Sequence, residues 1–401
     1  AAIASQIGGA APRSAPLARR QERQGWPVAW TKIDGKELAD FVRNDPDNPM
    51  DLPDRVFHQA AAALNAGKHI VLTGAPGTGK TTLAEAICRF GAPRSTGAVR
   101  GYRLATATAD WTTFDTVGGF VPLESGALQF RPGILLEAIR EGNWIIIDEI
   151  NRAEIDKAFG ELFTVLSGQQ VTLAHTVDGQ PVRILPAARS GRWDQNASEG
   201  GYDYVVHPSW RIVGTMNVYD KSYLFNMSFA FMRRFAFVDV DLPQPDQYRL
   251  LIEKWLQSTG LAARPAGQAE ALGRVGFMVA LERLLKQESL LMRRRAIGPA
   301  IVKDVMRYLQ NRLAPGDEDL PMVALGCLAE AFQLYAAPQL DSLDEPGILG
   351  IYREIGAAFE PLLASGMVEH GALHKLTLQR IQQMYPHMPE EAWPTQFDHN
   401  D

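Results

Sequence analysis

The sequence predicts an α/β fold: a mainly parallel sheet flanked by helices, followed by an all-helical second domain. Three observations carry the prediction. An apolar run, His69 to Thr73, leads through a glycine-rich loop into a helix-like stretch, Thr82 to Cys88. Apolar strand candidates then alternate with helical patterns as far as Thr215, the rhythm of parallel strands covered on both faces. After Pro243 the periodicity is helical throughout.

Residues 1–50 read as a flexible lead-in. Ala1 to Gln24 is rich in Ala, Gly, Pro and Arg and reads as a flexible tail rather than a transit peptide; no secretory apolar core follows its arginines. Trp26 to Asp51 is punctuated by Pro and Asp. A helix is predicted over Pro53 to Asn65, with Asp51 or Pro53 near its start and Gly67 after its end. Residues 51–242 form the predicted α/β domain. Beyond the first strand its strands are expected at Tyr102 to Ala107, Trp144 to Ile147 and Trp210 to Thr215, and its helices at Ile134 to Glu141 and Ala153 to Ser167. Two hairpins interrupt the rhythm, over Val117 to Phe130 and Val171 to Ile184, the second turning at Asp178-Gly179. Ala187 to Tyr204 reads as a loop. Residues 243–340 form the helical domain, with patterns over Asp246 to Gln257, Gln268 to Lys286, Pro299 to Leu313 and Met322 to Tyr335. Residues 341–401 read as a helical extension: a linker, Asp341 to Gly347, then helices over Ile348 to Leu363 and near Leu373 to Met384.

With 401 residues, 46% hydrophobic and 21% charged, the composition is that of a soluble globular protein of two or three domains. No stretch approaches the ~18 apolar residues of a membrane helix, and the chain is expected to be cytoplasmic. A net charge of −6 argues against a surface built to coat nucleic acid and leaves room only for a local basic face. Cys88 and Cys327 have no metal-binding spacing, which fits buried thiols in a reducing compartment.

The chemistry begins at Gly74-Ala75-Pro76-Gly77-Thr78-Gly79-Lys80-Thr81, a complete G-x-x-x-x-G-K-[ST] match, followed by Thr82 in the helix. Its glycines let backbone N–H groups curl round a β-phosphate, and the helix that follows presents its positive end. Lys80 reaches the β- and γ-phosphates, and Thr81 offers a hydroxyl to Mg²⁺. The chain is therefore expected to bind a nucleoside triphosphate. The apolar strand Trp144 to Ile147 ends in Asp148-Glu149. In enzymes with such a loop the first acid holds the Mg²⁺ shell and the second polarises the attacking water.

Together with the loop, Asp148-Glu-Ile-Asn-Arg152, Gly214-Thr-Met-Asn217 and Phe231-Met-Arg-Arg-Phe235 resemble the AAA+ ATPase superfamily, and within it the MoxR and McrB, dynein-related branch. The resemblance spans roughly Asp51 to Leu340. It implies a P-loop AAA+ core with a helical lid, and a ring, a homohexamer, that hydrolyses ATP with Mg²⁺ held by Thr81 and Asp148. It implies that Glu149 orients the water, that Asn217 is a sensor of the γ-phosphate, and that Arg233 or Arg234 acts as an arginine finger on a neighbour's nucleotide. Arg234 is favoured because it matches the Arg-Phe position. The implied role is remodelling of a protein client.

Two departures qualify this. Ile297-Gly-Pro-Ala-Ile-Val-Lys303 lacks the lid arginine of MoxR proteins, leaving Lys303 or Arg295 to substitute. Met216-Asn-Val-Tyr-Asp220-Lys221-Ser222 is similar to a segment of McrB, which raises GTP and a nucleic-acid-targeting defence complex with a separate nuclease as the alternative. Weaker signals read as ordinary structure: His370 and His374 as a surface pair rather than metal ligands, Arg293 to Arg295 as a solvated helix entrance, and Trp111, Phe114, Phe120 and Phe130 as hairpin packing rather than a substrate-gripping loop.

Overall fold

The computed structural model describes residues 31–94, 99–177, 179–186, 203–217, 227–244, 297–312 and 344–358, with isolated positions between and beyond them. Helices α1 (Gly35–Arg43) and α2 (Asp54–Asn65) precede strand β1 (His69–Gly74) and helix α3 (Lys80–Gly91). There follow β2 (Gly101–Thr106), α4 (Thr113–Thr116), the hairpin strands β3 (Gly118–Pro122) and β4 (Leu128–Pro132), α5 (Ile134–Glu141) and β5 (Asn143–Asp148). After a 3-10 turn, Ile150–Arg152, come α6 (Ile155–Phe159), α7 (Leu162–Leu166), β6 (Val171–Val177), β7 (Gln180–Pro186) and β8 (Asp203–Val206). Strand β9 (Ile212–Asn217), helix α8 (Phe229–Met232) and strand β10 (Phe235–Asp239) close the α/β domain. Helices α9 (Pro299–Arg312) and α10 (Glu345–Ala358) follow.

The central sheet has the order β10-β1-β9-β5-β2, parallel throughout. Strands β1, β5 and β9 are buried on both faces, whereas the edge strand β2 is half exposed. That is why the first three read as near-continuous apolar runs. From β1 the chain runs to the β2 edge, returns inward through β5 and β9, and crosses to β10. The order therefore switches at β1, and the crevice beyond its carboxyl end is where ligands bind in open α/β sheets.

Part of the expected lead-in is packed structure. Asp34 caps α1 by accepting from the backbone N–H groups of Lys36 and Glu37 at 2.8 and 3.0 Å. Leu38, Ala39 and Val42 of that helix are buried in the core. Asn65 of α2 ties this segment down, bonding both the N–H and the carbonyl of Ile33 at 2.9 and 2.8 Å. Flexibility expected over 1–50 is thus corrected for the described residues from 34 onward: a short amphipathic helix there covers α2 and α3.

Both hairpins form. Strands β3 and β4 pair antiparallel, as do β6 and β7. Strand β8 adds in parallel to β7, so Asp203 and Tyr204 are strand rather than loop; Arg183 holds Asp203 through two hydrogen bonds of 2.8 and 2.7 Å. The single helix expected over 153–167 is broken at Gly160, whose backbone (φ 45°, ψ −122°) no helix accommodates. The linker expected over 341–347 already contains the first turn of α10, where Asp344 accepts from the backbone N–H of Gly347 at 3.1 Å. Of the expected helical domain, α9 lies among the described residues. The helix expected over Gln268 to Lys286, and Arg293 to Arg295, lie outside them.

At the amino-terminal edge of the sheet two histidines are buried without charge. His69 Nδ1 accepts from the Ile212 N–H at 2.9 Å. Burial, with the Arg211, Lys68 and Arg234 cations, pushes its pKa down to about 3. Burial beside Arg211 lowers that of His207 to about 4. In the unfolded chain both protonate near ~6.5, so below that pH the unfolded state binds more protons. Stability is expected to fall on acidification from about pH 6.5 toward 4, by ~1.4 kcal/mol per pH unit for each fully titrating histidine. Urea unfolding midpoints between pH 7.5 and 4.5 measure this, and His69→Asn should flatten the slope.

Candidate functional site

Where β1 ends, the backbone turns sharply. Gly77 and Gly79 take φ of 73° and 82°, left-handed values that glycine adopts without a Cβ penalty. A Cβ on Gly79 would lie 2.5 Å from Met50 Cε, and one on Gly74 would run into the Val240 carbonyl. Gly79 then starts α3, so the free N–H groups and positive end of that helix face the loop.

Lys80, at the head of α3, is 7% exposed. Its Nζ donates to Gly74 O at 3.2 Å, Ala75 O at 2.7 Å and Asn217 Oδ1 at 2.7 Å. Those three acceptors fix the ammonium over the loop. Asn217 enters because β9 pairs with β1 in a register that sets Gly74 opposite Asn217. Its amide nitrogen donates to Glu149 Oε1 at 2.5 Å, so one side chain bridges Lys80 and the carboxylate.

The first acid of the pair, Asp148, stands at the end of β5. Asp148 Oδ1 accepts from Thr81 Oγ1 and Thr215 Oγ1, each at 2.6 Å. The Thr215 hydroxyl also accepts from the Glu149 N–H at 3.0 Å. Glu149 is the one non-glycine among the described residues with positive φ, 53°. Such backbone costs of order 1 kcal/mol and persists where the surroundings impose it. Here the turn aims the Glu149 side chain at Asn217 while Asp148 stays on Thr81. Arg152 Nε lies 3.9 Å from Glu149 Oε2.

These residues fit Mg²⁺ and a triphosphate. The Thr81 hydroxyl and Asp148 carboxylate are adjacent oxygens of the type a hard cation takes. The glycine turn leaves backbone N–H groups and an ammonium on the phosphate side.

Beside the loop opens a cleft of about 370 Å³, lined by Asn48 to Leu52, Gly77 to Gly79, Thr82, Asp241, Pro243, Leu250, Leu251, Lys254, Pro299, Ala300 and Lys303. The size suits a small-molecule ligand. The α9 end is seated on the loop itself: Ala300 N donates to Gly77 O at 3.0 Å, and a Cβ on Gly298 would strike the Pro76 and Gly77 backbone.

The structure thus brings Gly74 to Thr82, Asp148, Glu149 and Asn217 into one site. It places Arg233 and Arg234 elsewhere, at the start of β10, where the Arg234 carbonyl accepts from the His69 N–H at 3.2 Å. That is the amino-terminal end of β1, roughly 16 Å from the loop at ~3.3 Å per residue. Lys303 lines the cleft; Arg295, Asp220 to Ser222 and His370 lie outside the described residues. Thr215 stands within Gly214-Thr-Met-Asn217 but nothing local marks it as a partner of Asp148, and Met50 and Gly298 carry no local signal at all. Among the aromatic candidates, Phe120 and Phe130 pack edge to face at 6.2 Å, with His175 against both.

A family model described as AAA domain (dynein-related subfamily) matches residues 69–235, the stretch from the first residue of β1 to the first of β10. The stretch from β1 to β10 is an AAA domain of the dynein-related type. At the level of that family the AAA domain binds and hydrolyses nucleotide, usually with Mg²⁺. The chain is 27% identical over 212 residues to the Type IV methyl-directed restriction enzyme EcoKMcrB subunit of Escherichia coli (strain K12), covering 50% of this chain and 41% of that protein. It is 28% identical over 176 residues to midasin of Dictyostelium discoideum, covering 43% of this chain and 2% of midasin. Midasin of Giardia intestinalis is 33% identical over 117 residues, 29% of this chain and 2% of that protein. The AAA domain therefore spans less than half the length of each of these relatives. Among its described residues no helix is long and apolar enough to cross a membrane.

Proposed function

We propose that this chain is an ATP-driven motor of the MoxR-like type that works as a cytoplasmic ring, a homohexamer, and uses hydrolysis to remodel a partner protein or complex. The observation that supports it best is the separation of the two halves of the chemistry. Lys80, Thr81, Asp148, Glu149 and Asn217 meet at the carboxyl end of the sheet, whereas Arg233 and Arg234 sit at the amino end, out of reach of their own loop. A subunit so built needs a neighbour to complete its site.

In this reading Lys80 holds the β- and γ-phosphates with the ammonium that its three acceptors orient. Mg²⁺, when bound, neutralises phosphate charge and fixes the oxygen geometry. Thr81 and Asp148 hold it, and Thr215 keeps Asp148 turned toward Thr81. Glu149 takes the proton of the water whose oxygen forms the new bond to the γ-phosphorus as the bridging bond to the β-phosphate breaks. Asn217 donates to Glu149 and accepts from Lys80, so it reports the occupancy of one group to the other. An arginine from the next subunit neutralises charge developing on the leaving oxygens.

A second reading is favoured by the likeness to the E. coli restriction subunit: a motor subunit, using GTP, of a nucleic-acid-targeting restriction or antiviral defence complex with a separate nuclease. Steady-state hydrolysis of ATP and GTP across a protein-concentration series separates the two. ATP turnover rising more than linearly with concentration, and stimulated by a protein client alone, is expected for the first. A GTP preference with stimulation by DNA would replace it by the second, and turnover strictly linear in concentration would remove the ring.

A further inference from the structure

Three carbonyls of the glycine-rich loop have partners, and one of those partners comes from far along the chain. Lys80 Nζ takes the Gly74 and Ala75 carbonyls, and the Thr78 hydroxyl takes that of Ala75 as well, at 3.0 Å. These are bonds of the loop to itself. The Gly77 carbonyl instead accepts from Ala300 N, in the first turn of α9, at 3.0 Å. A trans peptide is planar and points its N–H opposite to its C=O. The bond from Ala300 therefore sets the Thr78 N–H too, turning it away from α9.

Helix α9 comes this near because position 298 carries no side chain. Gly298 is buried, and a Cβ there would strike the Pro76 and Gly77 backbone. Gly77 answers it across the contact: a Cβ at that position would lie 3.5 Å from Gly298 Cα and 3.6 Å from Ala300 Cβ. The seat is pinned from behind by Tyr248, 1% exposed, whose hydroxyl donates to the Ile297 carbonyl at 2.5 Å. Burial pushes the pKa of that phenol up, so it keeps its proton and stays a donor. Ile297 is itself buried, and it immediately precedes the glycine that touches the loop.

We propose that Tyr248 and Gly298 are positioning residues for phosphate binding: they seat the first turn of α9 on the Gly77 carbonyl and so aim the Thr78 N–H at the bound phosphate. Glycines are the freest residues of a chain, so a loop built on them does not hold its donors in line unaided. With α9 seated, one donor is oriented before the ligand arrives, and its ordering is not charged against binding. The coupling is reciprocal. A triphosphate on the loop holds α9 in its seat as firmly as α9 holds the loop, which carries the state of the loop to the cleft wall formed by Pro299, Ala300 and Lys303. The inference rests on the reading that this loop takes a triphosphate.

The test is binding of magnesium tripolyphosphate, which has the phosphates without base or ribose, beside binding of ATP, by the full chain and by Tyr248→Phe and Gly298→Ala. Each variant is expected to weaken both ligands by one common factor, about 5-fold for Tyr248→Phe and ~10-fold or more for Gly298→Ala. KM for ATP should rise in proportion while kcat changes little. Hydrogen exchange at the Thr78 amide should quicken in both variants, whereas a general loss of stability would spread the change over the sheet. Tripolyphosphate bound as tightly as by the parent, in variants that melt normally, would overturn the inference. Weakened ATP with unchanged tripolyphosphate would overturn it too and move the role of α9 to the cleft. Should Gly298→Ala fail to fold, Tyr248→Phe decides by the same two affinities. A parent that binds neither ligand would instead sink the triphosphate reading.

Discussion

Glu149→Gln is expected to bind nucleotide as the parent does and to turn over ~10²- to ~10⁴-fold more slowly, the range a positioned general base supplies. The expectation follows from how little else the substitution changes. Asn217 Nδ2 donates to Glu149 Oε1, and the glutamine carbonyl can accept the same bond. The Glu149 N–H stays on Thr215, so the left-handed turn that aims the side chain is kept. Lys80, Thr81 and Asp148, which are proposed to hold the nucleotide and its metal, are untouched. What disappears is the basic oxygen proposed to take the proton from water. Equilibrium binding of a labelled nucleotide beside single-turnover hydrolysis separates the two quantities. Sustained turnover in the variant would take Glu149 out of the role, and loss of binding would show that its charge is needed to assemble the site.

The second large effect is on stability. Trp144→Ala is expected to destabilise the domain by about 3–5 kcal/mol, a large share of the 5–15 kcal/mol that holds a typical domain together. Trp144 is fully buried on β5, and its indole N–H donates to the Ser209 carbonyl at 2.8 Å. The ring lies so close to α3 that a Cβ on Gly91 would come within 2.6 Å of it. Truncation therefore removes a large apolar surface, opens a cavity between β5 and α3, and loses the hydrogen bond to the Ser209 carbonyl, worth of order 1 kcal/mol. The same strand ends in Asp148, so the oxygens proposed to hold the metal should lose order as well. Urea unfolding measures the first effect. Trp144→Phe should fall between, since it keeps most of the packing and loses the hydrogen bond. A loss below about 1 kcal/mol for Trp144→Ala would show that β5 is not the keystone its burial implies.

Much of the sheet was legible because the central strands are buried on both faces and announce themselves as apolar runs. Helix α5 was read with the bounds it has, Ile134–Glu141, since Gly142 ends it in the left-handed region. Helix α1 was not read, because its buried side is only Leu38, Ala39 and Val42 in a polar stretch, and its reason to be helical is the α2 and α3 surface it covers. The break at Gly160 was equally invisible: the apolar periodicity runs through it, and it is the close approach of Thr113 to that glycine that marks the turn. Asp203 and Tyr204 looked like loop because an edge strand pairing through Arg183 needs no apolar run.

The glycine-rich loop and the strand that ends in Asp148-Glu149 are written locally: glycines where φ must be positive, a lysine and threonine at a helix start, carboxylates where an apolar strand reaches solvent. Long-range packing sets β9 between β1 and β5, which brings Asn217 between Lys80 and Glu149 and Thr215 onto Asp148. It alone sets the two arginines at the far end of the sheet. Strand order and register follow from burying both faces of the whole sheet at once, a condition that no stretch of chain contains.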